Sequence, residues 1–227
     1  MFLKRIIRRI KIIFISIFDL YSNLYWSQEG EDILLSRIFS KKTKGFYVDV
    51  GAHHSSRFSN TYKLYKENLW RGINIDANFE SYSNLQKKRS RDINIHIGIS
   101  NTKKFSRFYT FADSALNTFN IKKMMDVKKK YKLIDHKIII CKKLSEILDN
   151  FIKKSQKIDL LNIDAEGNDL QVLKSNNWNK YLPKIIIVEI SSSSVKKILQ
   201  HPITRFLNKK KYELYSKLHK SVIFKLK

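Results

Sequence analysis

Mostly apolar runs bounded by polar turns are the feature that most constrains how this chain can fold. Five of these runs have the length of a strand, and they are rich in Ile and Val. They span residues 45–50, 72–76, 93–97, 158–164 and 184–190. Continuous apolar runs indicate strands that are covered on both faces, which is typical of a parallel sheet with crossover helices. The pattern therefore predicts an α/β fold.

The stretches between these runs predict the remaining elements. Helices are expected at residues 60–67, 79–88 and 169–174. Residues 105–142 fit the alternation less well, and they predict an insertion or lid with a basic helix near 120–132. At the C-terminal end, residues 212–215 and 222–226 predict two strands that pair as a hairpin.

The length of 227 residues favours one domain with a sizeable core. We assign residues 23–227 to it, with a separate N-terminal segment at 1–22. Cys141 is the only cysteine, which excludes an intramolecular disulfide and a zinc site built on several thiolates.

The N-terminal segment combines basic and apolar residues. Ile6, Ile10 and Phe14 recur at helical spacing, with arginines and lysines between them. The cations interrupt the apolar run and no small-residue cleavage site follows, so a signal peptide fits poorly. An amphipathic helix on an anionic bilayer fits better, and a helix packed on the protein's own core is the alternative. We expect a cytoplasmic protein, peripheral to the inner face of the membrane if this helix binds lipid.

The chain carries 45 Lys and Arg against 20 Asp and Glu, a net charge of +25. Such a charge can indicate a nucleic-acid footprint, since phosphate backbones are bound mainly by Lys and Arg. Here the cations are scattered and lack the aromatic interleaving typical of RNA-binding surfaces. The charge therefore favours a solvated surface, and an acidic glycan, a lipid carrier or a membrane remains open as the anionic partner.

Three predicted strands end in loops that carry acids. Asp49 lies near the end of the first run, just before Gly51, and Asp76 is the last residue of the second. Asp164 ends the run at 158–164, and Glu166 follows it in the next loop. Ligands of open parallel sheets bind beyond the carboxyl ends of the strands. The loop after Asp49 lacks the full glycine-rich dinucleotide signature, so a nucleoside site without phosphates is favoured. Acids around a nucleoside suit the sulfonium and ammonium groups of S-adenosylmethionine.

Several motifs resemble the FkbM-type S-adenosylmethionine-dependent methyltransferases and run in the order of that family. They lie at residues 27–32 (SQEGED), 46–54 (FYVDVGAHH), 57–61 (RFSNT), 70–78 (WRGINIDAN), 117–119 (NTF) and 163–173 (IDAEGNDLQVL). The resemblance implies a Rossmann-like class I methyltransferase fold, with helices on both faces of a seven-stranded, mostly parallel sheet whose last strand is antiparallel. It also implies O-methylation, commonly of sugar or polyketide hydroxyls.

Cofactor roles follow for the strand-end loops. Asp49 and Gly51 are predicted to line the methionine part of the cofactor, and Asp76 to accept both ribose hydroxyls. Asn60 is expected to cap or pack beneath the first loop, with a cofactor contact as the alternative. The other predicted cofactor contacts are Ala52 and Ala77 in the same loops, and Ser100 and Asp113 on the adenine side.

A hydroxyl acceptor needs a base to remove its proton. Asp164, Glu166, His53 and His54 are the candidates, although the two adjacent histidines cannot easily both point inward. The acid that is not the base would orient the hydroxyl or bind a divalent cation, and no dedicated metal site is predicted.

The sequence thus favours an O-methyltransferase acting on a sugar hydroxyl in surface-polysaccharide or glycolipid synthesis. An RNA methyltransferase is the alternative enzyme, because of the positive charge. A non-catalytic basic protein that binds membranes or nucleic acid is the alternative of another class. Cofactor binding would distinguish the two methyltransferases from the non-catalytic protein. RNA binding that weakens with salt would distinguish the RNA methyltransferase from the sugar methyltransferase.

Overall fold

The computed structural model describes Ile10 and residues 24–153, 155–192 and 194–227. Apart from Ile10, the amphipathic helix expected over residues 1–22 lies outside the described residues. Within them, no helix is both long enough and apolar enough to cross a bilayer.

Ten strands form two sheets. The strands are β1 (Phe46–Val50), β2 (Arg71–Asp76), β3 (Ile93–His96), β4 (Gly98–Ile99), β5 (Phe105–Phe111), β6 (Leu133–Lys142), β7 (Leu160–Ile163), β8 (Ile185–Glu189), β9 (Tyr212–Lys217) and β10 (Ser221–Leu226). The main sheet has seven strands in the order β3-β2-β1-β7-β8-β10-β9. Its first five strands are parallel to one another, and β10 is antiparallel to both β8 and β9. This confirms the predicted Rossmann-like fold and its C-terminal hairpin.

Eight α-helices accompany the strands in the described part of the chain. They are α1 (Glu31–Ile38), α2 (Tyr62–Glu67), α3 (Phe79–Lys88), α4 (Ile121–Val127), α5 (Leu144–Phe151), α6 (Asp169–Lys174), α7 (Val195–Gln200) and α8 (Pro202–Lys209). A short 3-10 helix spans Ser114–Leu116.

Helices cover the main sheet on both faces, which explains why the strands are apolar throughout. On one face, Leu35 of α1 and Leu64 of α2 pack in a cluster with Tyr47 of β1. On the other, Leu148 of α5 packs in a cluster with Val48, the next residue of the same strand. Successive side chains of a strand point to opposite faces, so each strand contributes to both layers of the core.

The chain order places a ligand-binding edge at the centre of the sheet. From β1 the chain moves outward to β2 and β3, then returns to β7 on the other side of β1. This reversal makes the carboxyl ends of β1 and β7 the topological switch point, where open α/β sheets bind ligands.

The segment 105–142 builds most of the second sheet. Its strands β5 and β6 pair antiparallel, and β6 also pairs with β4, in the order β4-β6-β5. Helix α4 lies within the basic stretch 120–132. The action of this segment as a lid, and the boundary between residues 22 and 23, stay predictions.

Candidate active site

A cavity of about 560 Å³ opens at the carboxyl ends of the central strands. Its volume is in the range of small-molecule sites in proteins. Ten of the twelve residues predicted for the site line it: Asp49, Gly51, Ala52, His53, Asn60, Asp76, Ala77, Asp113, Asp164 and Glu166. The other two, His54 and Ser100, do not.

Asp76 ends β2 and is held by the backbone of two loops. Its carboxylate accepts hydrogen bonds from the backbone N–H groups of His53 and Asn78, both at 2.7 Å. Burial raises the pKa of Asp76 to about 6, although these two donors favour the ionised form. Each carboxylate oxygen keeps a second lone pair for a ligand donor.

Asp49 is fixed from two sides on β1. The Thr61 hydroxyl donates to one oxygen at 2.6 Å, and the Asn162 amide donates to the other at 2.8 Å. Asn60 donates to the Asn162 side-chain oxygen at 2.9 Å, so it supports Asn162 as well as lining the cavity. Burial raises the pKa of Asp49.

A fully buried guanidinium lies behind Asp49. Arg89 is 0 % exposed and binds Asp92 through Nε at 2.9 Å. Its Nη1 donates to the Thr61 hydroxyl at 3.0 Å, and its Nη2 contacts the Tyr47 hydroxyl. Thr61 therefore accepts from Arg89 and donates to Asp49, which links a buried ion pair to the cavity wall.

The two histidines of the first loop have different environments. His53 lines the cavity with a φ of 51°, its Nε2 lies 3.2 Å from the Ser114 hydroxyl, and its buried Nδ1 has no partner among the described residues. Burial lowers the pKa of His53, which favours the neutral imidazole that a base requires. The His54 Nδ1 instead accepts from the backbone N–H groups of Ser56 and Arg57, at 3.1 and 2.9 Å. His54 thus stabilises the loop.

Of the two residues expected near adenine, Asp113 lines the cavity and Ser100 does not. Asp113 lines the cavity and accepts from the Ala115 backbone N–H at 3.1 Å, which caps the 3-10 helix. Ser100 lies outside the lining, and its hydroxyl accepts from the backbone N–H groups of Thr102 and Lys103, at 3.3 and 3.1 Å. These bonds give Ser100 a role in the turn after β4.

Three carboxylates lie close together at the carboxyl ends of β7 and β8. Asp164, Glu166 and Glu189 each offer an oxygen within 4.8 Å of the others, a set that can hold a cation. The Lys123 ammonium of α4 forms an ion pair with Glu166 and lies 3.8 Å from Glu189. The protein thus places one of its own cations at this cluster.

The pKa values of this cluster follow from crowding. Asp164 is an exposed residue of the cavity wall. Desolvation by the surrounding protein and then the neighbouring Glu166 and Glu189 raise its pKa well above the usual range. Loss of water also raises the pKa of Glu166, while Lys123 opposes that rise. Both carboxyl groups therefore bind a proton more readily than an isolated carboxyl group does.

The connection between β5 and β6 is hydrogen-bonded to the loop that carries Asp164 and Glu166. Thr118 donates to the Glu166 carbonyl oxygen at 2.7 Å, and Asn120 donates to the Gly167 carbonyl oxygen at 2.9 Å. The segment 105–142 also contributes to the cavity wall, through residues that include Phe108, Thr118 and Lys123.

Several residues of this site were not among those predicted from the sequence. Glu189 ends β8, so the strand-end rule that selected Asp76 could have selected it too. Lys123 and Arg89 carry no such signal, because they are single cations in a chain rich in them.

The arrangement combines acidic walls for a positively charged ligand with groups able to accept a proton. The methyltransferase FkbM domain matches residues 49–214, which is well over half of the chain. No curated protein matches the chain. The match begins at Asp49 within β1, ends at Leu214 within β9, and includes every acid that lines the cavity at a strand end. The chain therefore belongs to the FkbM methyltransferase family.

Proposed function

We propose that this methyltransferase uses S-adenosylmethionine to methylate a hydroxyl group, on a sugar of a surface polysaccharide or glycolipid. One observation carries the proposal. Three acids lie at the carboxyl ends of the adjacent parallel strands β2, β1 and β7 and line the same cavity: Asp76, Asp49 and Asp164.

The cavity residues fit this cofactor in charge and in shape. Asp76 would accept the ribose hydroxyls through the lone pairs that its backbone donors leave available. Asp49 would face the methionine part, where carboxylates favour the ammonium and sulfonium groups. Gly51, with no side chain, lets the loop after β1 contact the loop that carries Asp164, so that Asp49 and Asp164 line one cavity.

When bound, S-adenosylmethionine supplies a methyl group that is open to attack by a nucleophile. The protein has to align the acceptor hydroxyl with that group and remove the hydroxyl proton. We assign proton removal to the Asp164 carboxylate, which has a raised pKa and lies in the cavity. Glu166, paired with Lys123, would orient the hydroxyl, and His53 is the alternative base.

The acceptor class comes from the resemblance to sugar O-methylating members of the family. The positive charge of the chain agrees with an acceptor that is acidic or linked to an anionic carrier. The protein would work at the cytoplasmic side of the membrane, where such acceptors are assembled.

Calorimetric titration with S-adenosylmethionine tests the cofactor assignment. We expect binding in the wild type, loss of measurable binding in Asp76→Ala, and unchanged binding in Asp135→Ala. Asp135 is exposed on β6 and does not line the cavity, so it is the matched control. Equal affinity in Asp76→Ala would reject the ribose assignment.

A labelled methyl donor tests the acceptor. Label should enter the glycan and glycolipid fractions of the host in the presence of the protein. Label in RNA instead would contradict the sugar acceptor and support the alternative enzyme.

A further inference from the structure

The outward side of the second sheet exposes large apolar side chains. Phe105 of β5 is 62 % exposed, and Ile138 and Ile140 of β6 are 62 % and 57 % exposed. Phe105 pairs directly with Ile140, and Ile138 lies two residues along the same face. We refer to these three residues as the outer apolar face.

The opposite side of the same strands is covered. Phe108 is 7 % exposed and lines the cavity, and Cys141 is 4 % exposed. The sheet is thus apolar on both sides. The outer side is covered at Tyr109, which packs with Met124, but the described part of the protein leaves Phe105, Ile138 and Ile140 uncovered. Contiguous exposed apolar side chains mark interaction surfaces in soluble proteins.

The charges around the outer apolar face are mainly positive. On the outer side of β5 and β6 the charged residues are the cations Arg107 and Lys142, whereas Lys137 and Asp135 pair with Phe108 and Thr110 and lie on the inner side. Arg107 pairs with Ile138, so a guanidinium lies within the face itself. Apolar side chains next to cations favour the boundary between the headgroups and acyl chains of anionic lipids.

We propose that the outer apolar face docks on an anionic phospholipid bilayer. Phe105, Ile138 and Ile140 enter the headgroup boundary, while Arg107 and Lys142 contact the lipid phosphates. Because the inner side of the same sheet lines the cavity, docking brings the cavity to the membrane surface. That this serves a lipid-linked acceptor rests on the proposed function, whereas the docking itself does not.

Flotation of the full-length protein with vesicles tests the proposal. The vesicles contain phosphatidylcholine with phosphatidylglycerol, or phosphatidylcholine alone. We expect retention on the anionic vesicles, about tenfold weaker partitioning for the double variant Ile138→Thr/Ile140→Thr, and little retention without anionic lipid. Thr is β-branched and both positions are exposed, so the variant should melt near the wild-type temperature.

Leu182→Thr is the control, because Leu182 is exposed and lies just before β8 of the main sheet, at the amino-terminal end of that strand and away from the second sheet. Equal retention of the wild type and the double variant would overturn the proposal, and so would equal loss in Leu182→Thr. A wild-type dimer that the double variant abolishes, without vesicle binding, would assign the face to a second copy and also overturn it. Failure to bind S-adenosylmethionine would contradict the proposed function and leave these outcomes unchanged.

Discussion

The backbone of Gly51 lies so close to Asp164 that a Cβ atom on Gly51 would be 1.9 Å from the Asp164 carbonyl oxygen. Gly51 also has a φ of 80°, in the left-handed region that favours glycine. The loops after β1 and β7 therefore meet backbone to backbone, and this contact sets the spacing between Asp49 and Asp164.

Gly51→Ala should lower both the stability and the cofactor affinity of the protein. The backbone strain and the forced separation of the two loops together cost about 2–5 kcal/mol. Urea denaturation measures the free energy of unfolding. Gly30→Ala is the control, because Gly30 has a φ of 86° and a Cβ atom there would have no described neighbour within 4 Å. Only the strain, about 1–2 kcal/mol, is expected there, and equal losses in both variants would contradict the contact.

Asp76 should make the folded state less stable as the pH rises from about 4 to about 6. Its pKa is about 6 in the folded protein against 3.8 in the reference state, so the folded state holds the proton more tightly than the unfolded chain. Ionisation of Asp76 therefore removes about 3 kcal/mol of stability across that interval. In Asp76→Asn the free energy of unfolding should vary less with pH, and a pH dependence identical to that of the wild type would contradict the raised pKa.

The same ionisation should control cofactor binding in the opposite direction. The ionised carboxylate is the better acceptor for ribose hydroxyls, so affinity for S-adenosylmethionine should fall about tenfold per pH unit below the pKa. Calorimetric titrations between about pH 5 and pH 8 measure this. Asp76→Asn should bind weakly with a flatter profile, and a flat wild-type profile would exclude Asp76 from the ligand contact.

Thr61→Val should lower the cofactor affinity, although Thr61 acts through its hydrogen bond to Asp49. The substitution removes the hydroxyl that donates to Asp49 and accepts from Arg89, which leaves both buried groups short of a partner. We expect a loss of about 1–3 kcal/mol in the free energy of unfolding, with weaker cofactor binding. Thr61→Ser keeps the hydroxyl and should remain near the wild type in both measurements. Similar behaviour of the two variants would show that the hydroxyl is not what links Arg89 to Asp49.

The main sheet could be predicted because its strands are buried on both faces, and such strands have continuous apolar runs. The strand-end acids follow from the same reasoning, since parallel strands deliver their carboxyl ends to one edge. The second sheet gave a weaker pattern. Ile138 and Ile140 are exposed in it, so apolar character did not indicate burial there.

The supporting polar network could not be predicted for a different reason. Asp92 follows Arg89 by three positions in the sequence, a spacing at which ion pairs are common on exposed helices. Here both side chains are buried. Only the tertiary structure brings them beneath Thr61. His54 likewise has the same sequence context as His53, and the backbone after Gly51 decides that His53 faces the cavity.

Lys123→Met should raise the carboxyl pKa values of Glu166 and Asp164. The Lys123 ammonium lowers both of them, so its removal leaves the neighbouring carboxylates to repel one another without compensation. Carbon-13 NMR titration of the Asp and Glu carboxyl groups should show upward shifts of about one pH unit or more. If Asp164 is the base, the acidic limb of the pH profile of methyl transfer should move to higher pH by a similar amount. Lys122→Met is the control, because Lys122 is exposed and lies outside the cavity lining. Titration curves of Lys123→Met that match those of Lys122→Met would show that the ion pair does not set the charge state of this cluster.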